Sequence, residues 1–236
     1  MDTTGGRPGR LRPITLLSII LLVLLIALAG GTWLLASWSP GWFDLPPRED
    51  ADTAALGEHV EFRLAEELQR IRASNESWRI RMTDEAINAW LAARLLPWMS
   101  HEPDLVWPER LSRPQVRFST SGIDVGIRVS GLLGSDRVVS LRFEPVLDSG
   151  RLLLKPGGIR IGRLPVPFAR SAVDALLRES LPRFDDAMGE LVATALGEAT
   201  MEAIIPLVDE RRVLVDSMQL ERGAIVLEAR TLNRGE

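Results

Sequence analysis

The chain has 236 residues, no cysteine and a formal net charge of −4. Without cysteine it can form neither disulfides nor thiolate metal sites, and a nucleophilic thiol is excluded as well. The slight excess of acidic residues gives no reason to expect a nucleic-acid partner. Apart from one apolar segment near the N-terminus, roughly 200 residues remain, which suffices for one domain with a substantial core.

The apolar segment covers residues 14–38 and carries no charge. At about 1.5 Å per residue, a helix of this length crosses about 30 Å of hydrocarbon. We therefore predict a cytoplasmic tail over 1–13, a transmembrane helix over 14–38, a linker over 39–52 and an extracytoplasmic domain over 53–236. A cleaved signal peptide is the alternative, because Ala27-Leu28-Ala29 offers a cleavage pattern.

Charges on either side of the span predict its orientation. The residues before it include three arginines and one acid, whereas acids outnumber basic residues just after it. Basic residues near a span mark its cytoplasmic end, so the C-terminal domain is expected outside the cytoplasm. Trp33, Trp38 and Trp42 cluster on the exit side, where indole rings favour the headgroup layer.

After the linker, the pattern first predicts helices. Apolar residues recur at helical spacing over 53–73, which is typical of an amphipathic helix. A short strand is predicted over 78–82. Thr83 is expected to cap a further helix that Pro97 ends, and residues 97–113 are loop-like.

From residue 116 onward, apolar and polar residues alternate, which predicts strands with one apolar face. Ser121-Gly122 and Ser149-Gly150 are turn signals, and the proline in Pro156-Gly157-Gly158 predicts an edge or a break of the sheet. Two amphipathic helices over 168–201 are expected to cover the sheet, and a hairpin over 213–232 closes the chain. Strands without intervening crossover helices predict an antiparallel α+β fold.

No residue set predicts a reaction. His59 and His101 are far apart and belong to no metal-ligand spacing. Asp185-Asp186 is interpreted as a solvated helix start, since adjacent helix positions point about 100° apart. No serine lies in a nucleophile-elbow context. We therefore predict a non-enzymatic protein with no catalytic residue, no metal site and no cofactor.

The apolar faces of the strands and helices are usually core. If the sheet and its covering helices splay, however, they leave an apolar cleft in which a lipid chain gains about 0.8 kcal/mol per buried CH₂. The alternation and the helical stripes select the candidate lining residues, which are Phe118, Ile123, Val125, Ile127, Leu141, Phe143, Ile161, Val173, Leu176, Leu177, Leu191 and Leu196.

Two stretches carry a resemblance to known proteins: TDEAINAWLAARL at 83–95, with Asn88 and Trp90, and IRIGRLPVP at 159–167. With the single N-terminal span, they resemble the YpmS-like family of bacterial membrane-anchored proteins. More loosely, the chain is similar to the tubular lipid-binding (TULIP) superfamily and to YceB-type lipoproteins. The resemblance implies a curved antiparallel sheet wrapped on long amphipathic helices, a lipid groove and a place in the bacterial cell (inner) membrane.

These observations predict a membrane-anchored extracytoplasmic protein that binds or transfers a lipid or another hydrophobic ligand in the cell envelope. The alternative is a non-enzymatic envelope scaffold that docks a partner protein through the 97–113 loop. A third interpretation is a hydrolase that uses carboxylates the sequence cannot pair, and a pocket with converging carboxylates would favour it.

Overall fold

The computed structural model describes residues 13–45, 50–73, 76–100, 107–166, 200–207 and 209–232. Within these residues the chain forms four α-helices and ten strands. Their bounds are α1 (Pro13–Ser37), α2 (Ala51–Gln69), β1 (Ser77–Thr83), α3 (Asp84–Ala93), α4 (Leu95–Met99), β2 (Gln115–Ser119), β3 (Gly122–Val129), β4 (Arg137–Asp148), β5 (Arg151–Ile161), β6 (Leu164–Pro165), β7 (Met201–Glu202), β8 (Ile204–Pro206), β9 (Arg212–Glu221) and β10 (Ala224–Leu232).

Among the described residues, α1 is the one helix that is long and apolar enough to cross a membrane. From Ile20 to Leu35 nearly every side chain is exposed, and only Ala36, close to the end of the helix, is buried. An apolar helix with this much bare surface is not the core helix of a domain. It is compatible with a single-pass anchor or with a signal sequence.

The strands form two antiparallel sheets. The small sheet has the order β1-β10-β9-β8, and the large sheet has the order β2-β3-β4-β5-β6, with β7 beside β5. The chain passes from one to the other at the buried Ala203: its amide donates to the Gly150 carbonyl at 2.8 Å, and its carbonyl accepts from the Val215 amide at 2.9 Å. The predicted antiparallel α+β class is therefore confirmed.

Helices α2 and α3 pack against each other at a glycine. Gly57 is buried, and a Cβ built on it would lie 2.8 Å from the Ala89 carbonyl oxygen. The predicted cap of α3 is present, since the Ala86 amide donates to Thr83 Oγ1 at 3.1 Å. Pro97 does not end the helical segment as predicted, because the chain turns at Arg94 and then begins α4, whose first turn tolerates proline.

Of the two outcomes predicted at Pro156-Gly157-Gly158, the break is wrong, because β5 continues through this run, and a shift in register against β4 between Leu141 and Phe143 absorbs the irregularity. The edge is present: among the described strands, β5 pairs at Pro156 with β4 alone. The predicted helices over 168–201 lie outside the described residues, except that Met201 belongs to β7. The wrapping of the large sheet around long helices therefore stays a prediction.

Candidate functional site

Seven of the predicted lining residues lie on strands β2 to β5 of the large sheet. Opposed residues of antiparallel strands point to the same side of a sheet. The register aligns the seven, with Val139, in three rows: Phe118–Ile123–Phe143, Val125–Leu141 and Ile127–Val139–Ile161. They therefore share one apolar face.

Only part of that apolar face is fully covered. Phe118 and Phe143 are buried, whereas Ile123, Val125 and Leu141 are half-buried. The remaining candidates, which are Val173, Leu176, Leu177, Leu191 and Leu196, lie outside the described residues. A cleft between the sheet and covering helices thus stays a prediction.

A groove of about 880 Å³ lies elsewhere, between α2 and the edge strand β1. One wall comes from the α2 stripe and the segment after it, and the other from β1 and the start of α3. Its apolar lining residues are Leu56, Val60, Leu64, Ile71, Trp78, Ile80, Met82 and Ala86. We call this feature the α2–β1 groove.

The wall of the α2–β1 groove is stiffened around Trp78. The Arg72 guanidinium carbon lies 4.1 Å from the centroid of the indole ring. The Nη2 atom of the same guanidinium forms an ion pair with Glu67 Oε2 at 2.5 Å. The indole Nε1 is buried and has no hydrogen-bond acceptor among the residues that the structure describes. The charged residues around the groove are therefore partly paired, while its floor keeps apolar side chains that are only half-covered.

Sequence reasoning missed this groove although its two sides were both predicted. The stripe of apolar residues over 53–73 and the alternation of apolar and basic residues over 78–82 each predict an apolar face. Neither pattern shows that the two faces lie opposite each other, because that placement depends on how α2 packs on α3 and how β1 pairs with β10.

The opposite face of the large sheet receives residues that follow α1. Gly126 on β3 lies beneath the rings of Trp42 and Phe43, and Phe43 is buried. The Gln115 side-chain amide donates to the Asp44 carbonyl. The part of the predicted linker from 39 to 45 thus packs on the domain instead of crossing free solvent.

Next to these rings lies a charged cluster centred on Asp124, whose side chain is 8% exposed. Arg117 and Arg142 both donate to its carboxylate, with closest distances of 2.5 and 2.8 Å. Burial works to raise the pKa of Asp124, but the hydrogen bonds and charges of the two arginines outweigh it and hold this pKa below its ordinary value. The carboxylate is therefore ionised at neutral pH.

A smaller cavity of about 470 Å³ near Trp42 has an acidic lining, which bears on the hydrolase interpretation. Asp50 caps α2 by accepting from the Thr53 amide at 3.0 Å, and Asp84 lies in the first turn of α3. The hydrogen bonds from Thr53 lower the pKa of Asp50, whereas a general acid needs a raised pKa. Acids in these positions are typical of helix N-termini.

The proposed docking loop is described only at its ends. Trp98 is 50% exposed on α4, and the Trp107 indole donates to the Leu111 carbonyl at 3.0 Å. His59 is exposed on α2, and His101 lies outside the described residues. No group of three or more potential metal ligands occurs in the part of the chain that the structure describes.

No model of a known protein family matches the chain, and no curated protein sequence matches it significantly. The resemblance to the YpmS-like family and to tubular lipid-binding proteins therefore stays a prediction.

Proposed function

We propose that the protein is a membrane-anchored binder of a lipid or another hydrophobic ligand, with α1 as its single span. The binding site is the α2–β1 groove. One observation carries the proposal: this groove leaves apolar side chains of a helix and of an edge strand facing an unfilled space of about 880 Å³.

The dimensions of the α2–β1 groove and the apolar half of its lining favour this ligand class. Sites for small molecules measure about 300–1,000 Å³ and are lined mainly by apolar side chains. Among the described residues, eight of the sixteen that line the groove are apolar, and the other eight are His59 and seven arginines or glutamates. Leu56, Val60 and Leu64 are half-buried on one wall, as are Ile80 and Met82 on the other. Each methylene of an acyl chain laid along this floor gains about 0.8 kcal/mol.

The position of α2 in the chain supports a membrane-derived ligand. Phe43 packs on the large sheet shortly after α1 ends, and Leu56, the first lining residue of the groove, follows it by 13 positions. Thirteen residues span at most about 45 Å. A ligand that leaves the bilayer near α1 therefore has a short path to the groove.

The apolar face of the large sheet is the second surface to test for the same ligand. Its half-buried residues, such as Val125 and Leu141, are among the lining residues that the sequence predicts. A labelling experiment separates the two surfaces, because they lie on different strands and give different peptides.

The test uses the full chain in mixed micelles with a diazirine-bearing fatty acid, photolysis and peptide mapping by mass spectrometry. Adducts on α2 and β1 are expected, and Val60→Trp should fill the groove and reduce them several-fold. Phe62→Trp is the matched control, since Phe62 is 69% exposed on the same helix and does not line the groove.

Adducts at Val125 and Leu141 instead would move the site to the large sheet. Adducts confined to α1, which contacts detergent in any case, would refute ligand binding by the domain. Labelling of α2 that Val60→Trp and Phe62→Trp change equally would refute the groove.

A further inference from the structure

The C-terminal end of α1 is fixed to the large sheet at the turn after β5. The Arg163 amide donates to the Leu35 carbonyl at 2.9 Å, and the Gly162 amide donates to the Val138 carbonyl at 2.7 Å. A Cβ on Gly162 would lie 2.5 Å from the Ala36 carbonyl oxygen. The residues at this end of the sheet are therefore held at the level where the span ends.

Two arginines at this place stack on tryptophans of the anchor. The guanidinium carbon of Arg137, the first residue of β4, lies 4.7 Å from the centroid of the Trp33 ring. That of Arg163 lies 5.4 Å from the centroid of the Trp38 ring. Because tryptophans near the end of a span sit at headgroup depth, both guanidinium groups are brought to the lipid phosphate layer.

No ion pair joins either arginine to an acidic residue within the part of the chain that the structure describes, although the Arg163 Nε donates to the Ser39 carbonyl at 3.4 Å. Arg137 is only 5% exposed, and its Nε is buried without a hydrogen-bond partner among those residues. Its two terminal nitrogens are not among the buried polar atoms that lack a hydrogen-bond partner. A buried cation without an anion is costly, so the site is incomplete until an anion reaches those nitrogens.

Other arginines of the same sheet have a carboxylate partner. Arg117 and Arg142 share the carboxylate of Asp124. Within the residues that the structure describes, Arg117 and Arg142 thus have a carboxylate partner where the linker covers the sheet, whereas Arg137 and Arg163, beside the end of the span, have none.

We propose that Arg137 and Arg163 bind the phosphate of an anionic phospholipid in the leaflet that surrounds the end of α1. Guanidinium groups match phosphate oxygens with parallel hydrogen bonds, and stacking on indole rings holds their planes in place. The inference goes beyond the hydrophobic-ligand site, although it rests on the membrane anchor that forms part of the proposed function.

The test compares the full chain in nanodiscs of phosphatidylcholine with nanodiscs that also contain phosphatidylglycerol, followed by native mass spectrometry of retained lipid. The wild-type chain should retain phosphatidylglycerol in preference. Arg137→Gln and Arg163→Gln should each weaken this retention about fivefold, the change that corresponds to about 1 kcal/mol per basic residue near an anionic surface.

Arg151→Gln is the matched control, because Arg151 is an exposed arginine at the other end of β5, roughly 30 Å away. Should Arg137→Gln fail to fold, Arg163→Gln decides alone, since Arg163 is exposed. Equal retention by wild type, Arg163→Gln and Arg151→Gln would overturn the proposal.

Two further arms separate the possible sources of failure. In the first, inorganic phosphate is added to the chain in neutral detergent. Phosphate binding that saturates at millimolar concentration, together with no preference for phosphatidylglycerol in nanodiscs, would overturn the lipid assignment. In the second, a chain that does not enter nanodiscs at all would refute the membrane anchor itself. A chain that enters them without lipid preference would refute only the phosphate site formed by Arg137 and Arg163, which we call the headgroup site.

Discussion

Gly126 lets the segment after α1 lie flat on the large sheet, so its replacement by alanine should loosen that contact. A Cβ at this position would come within 2.7 Å of the outermost ring carbon of Trp42 and 2.9 Å of a ring carbon of Phe43. Both distances are shorter than carbon atoms accept, and rigid aromatic rings cannot bend away as a flexible side chain does. Either both rings must rotate away or the backbone of residues 42–43 must shift, and each change loosens the contact.

The expected cost follows from the packing. Inserting a methyl group into a packed contact usually destabilises a protein by about 1–3 kcal/mol. For a domain of this size, about 1 kcal/mol corresponds to a shift of roughly 2–4 °C in Tm. Gly126→Ala should therefore lower Tm by roughly 2–12 °C.

The assay is thermal unfolding of the full chain in a mild detergent, followed by tryptophan fluorescence. Gly158→Ala is the matched control: Gly158 lies on β5 of the same sheet, two strands away from β3, and nothing lies within 4 Å of the Cβ that the substitution adds. That variant should melt within about 2 °C of the wild-type chain.

A double-mutant cycle with Trp42→Leu tests the cause. Removing the far ring of Trp42 takes away the nearest clash, so the double variant should be less destabilised than the sum of the two single variants by at least about 0.5 kcal/mol. A Gly126→Ala chain that melts with the wild type, or strict additivity in the cycle, would refute the packing of the linker on the sheet.

Three further predictions concern polar contacts. Asp124→Asn should cost about 1–3 kcal/mol at pH 6. Because the folded-state pKa of Asp124 is lowered, its contribution is present above the unfolded pKa of about 4 and is lost progressively as the pH falls from there through the folded-state pKa, so the Tm gap to wild type should begin to narrow below about pH 4. Asn88→Leu should cost about 1–3 kcal/mol and speed amide exchange of Val116, since Asn88 makes two hydrogen bonds to the Val116 backbone at 2.7 and 2.8 Å; unchanged exchange would contradict it. Glu61→Gln should change stability by less than about 1 kcal/mol, because the pair with Arg94 is exposed; a larger loss in urea unfolding would show that this pair is more than a surface contact.

Local patterns predicted the individual elements well, because each depends on neighbours in sequence. The alternation from 116 onward gave β2 and β3, and the turn glycines Gly150 and Gly223 lie at the hairpin bends with positive φ, as turn signals of this kind require. The failure at Pro156 has its cause in another strand. A break was one of the two outcomes predicted there, because a bulge that keeps β4 and β5 paired cannot be read from one strand alone.

The candidate sites were less accessible to sequence reasoning. The α2–β1 groove needs α2 and β1 to lie side by side, and the headgroup site needs Arg137 to meet Trp33, about a hundred positions earlier in the chain. No periodicity links such residues. Trp42 and Phe43 similarly looked like part of a linker, since the glycine that seats them lies on a distant strand.

The sequence by itself determined that this chain carries one helix able to cross a membrane and an antiparallel α+β domain. Both properties are set by composition and by short-range periodicity, which require no knowledge of the partner surface. Within the residues that the structure describes, the tertiary structure alone decided that the apolar sides of α2 and β1 face each other across a groove, and that the end of α1 is built into the sheet. Those outcomes depend on backbone approaches as close as Gly162 to Ala36, which arise only when distant segments fold against each other.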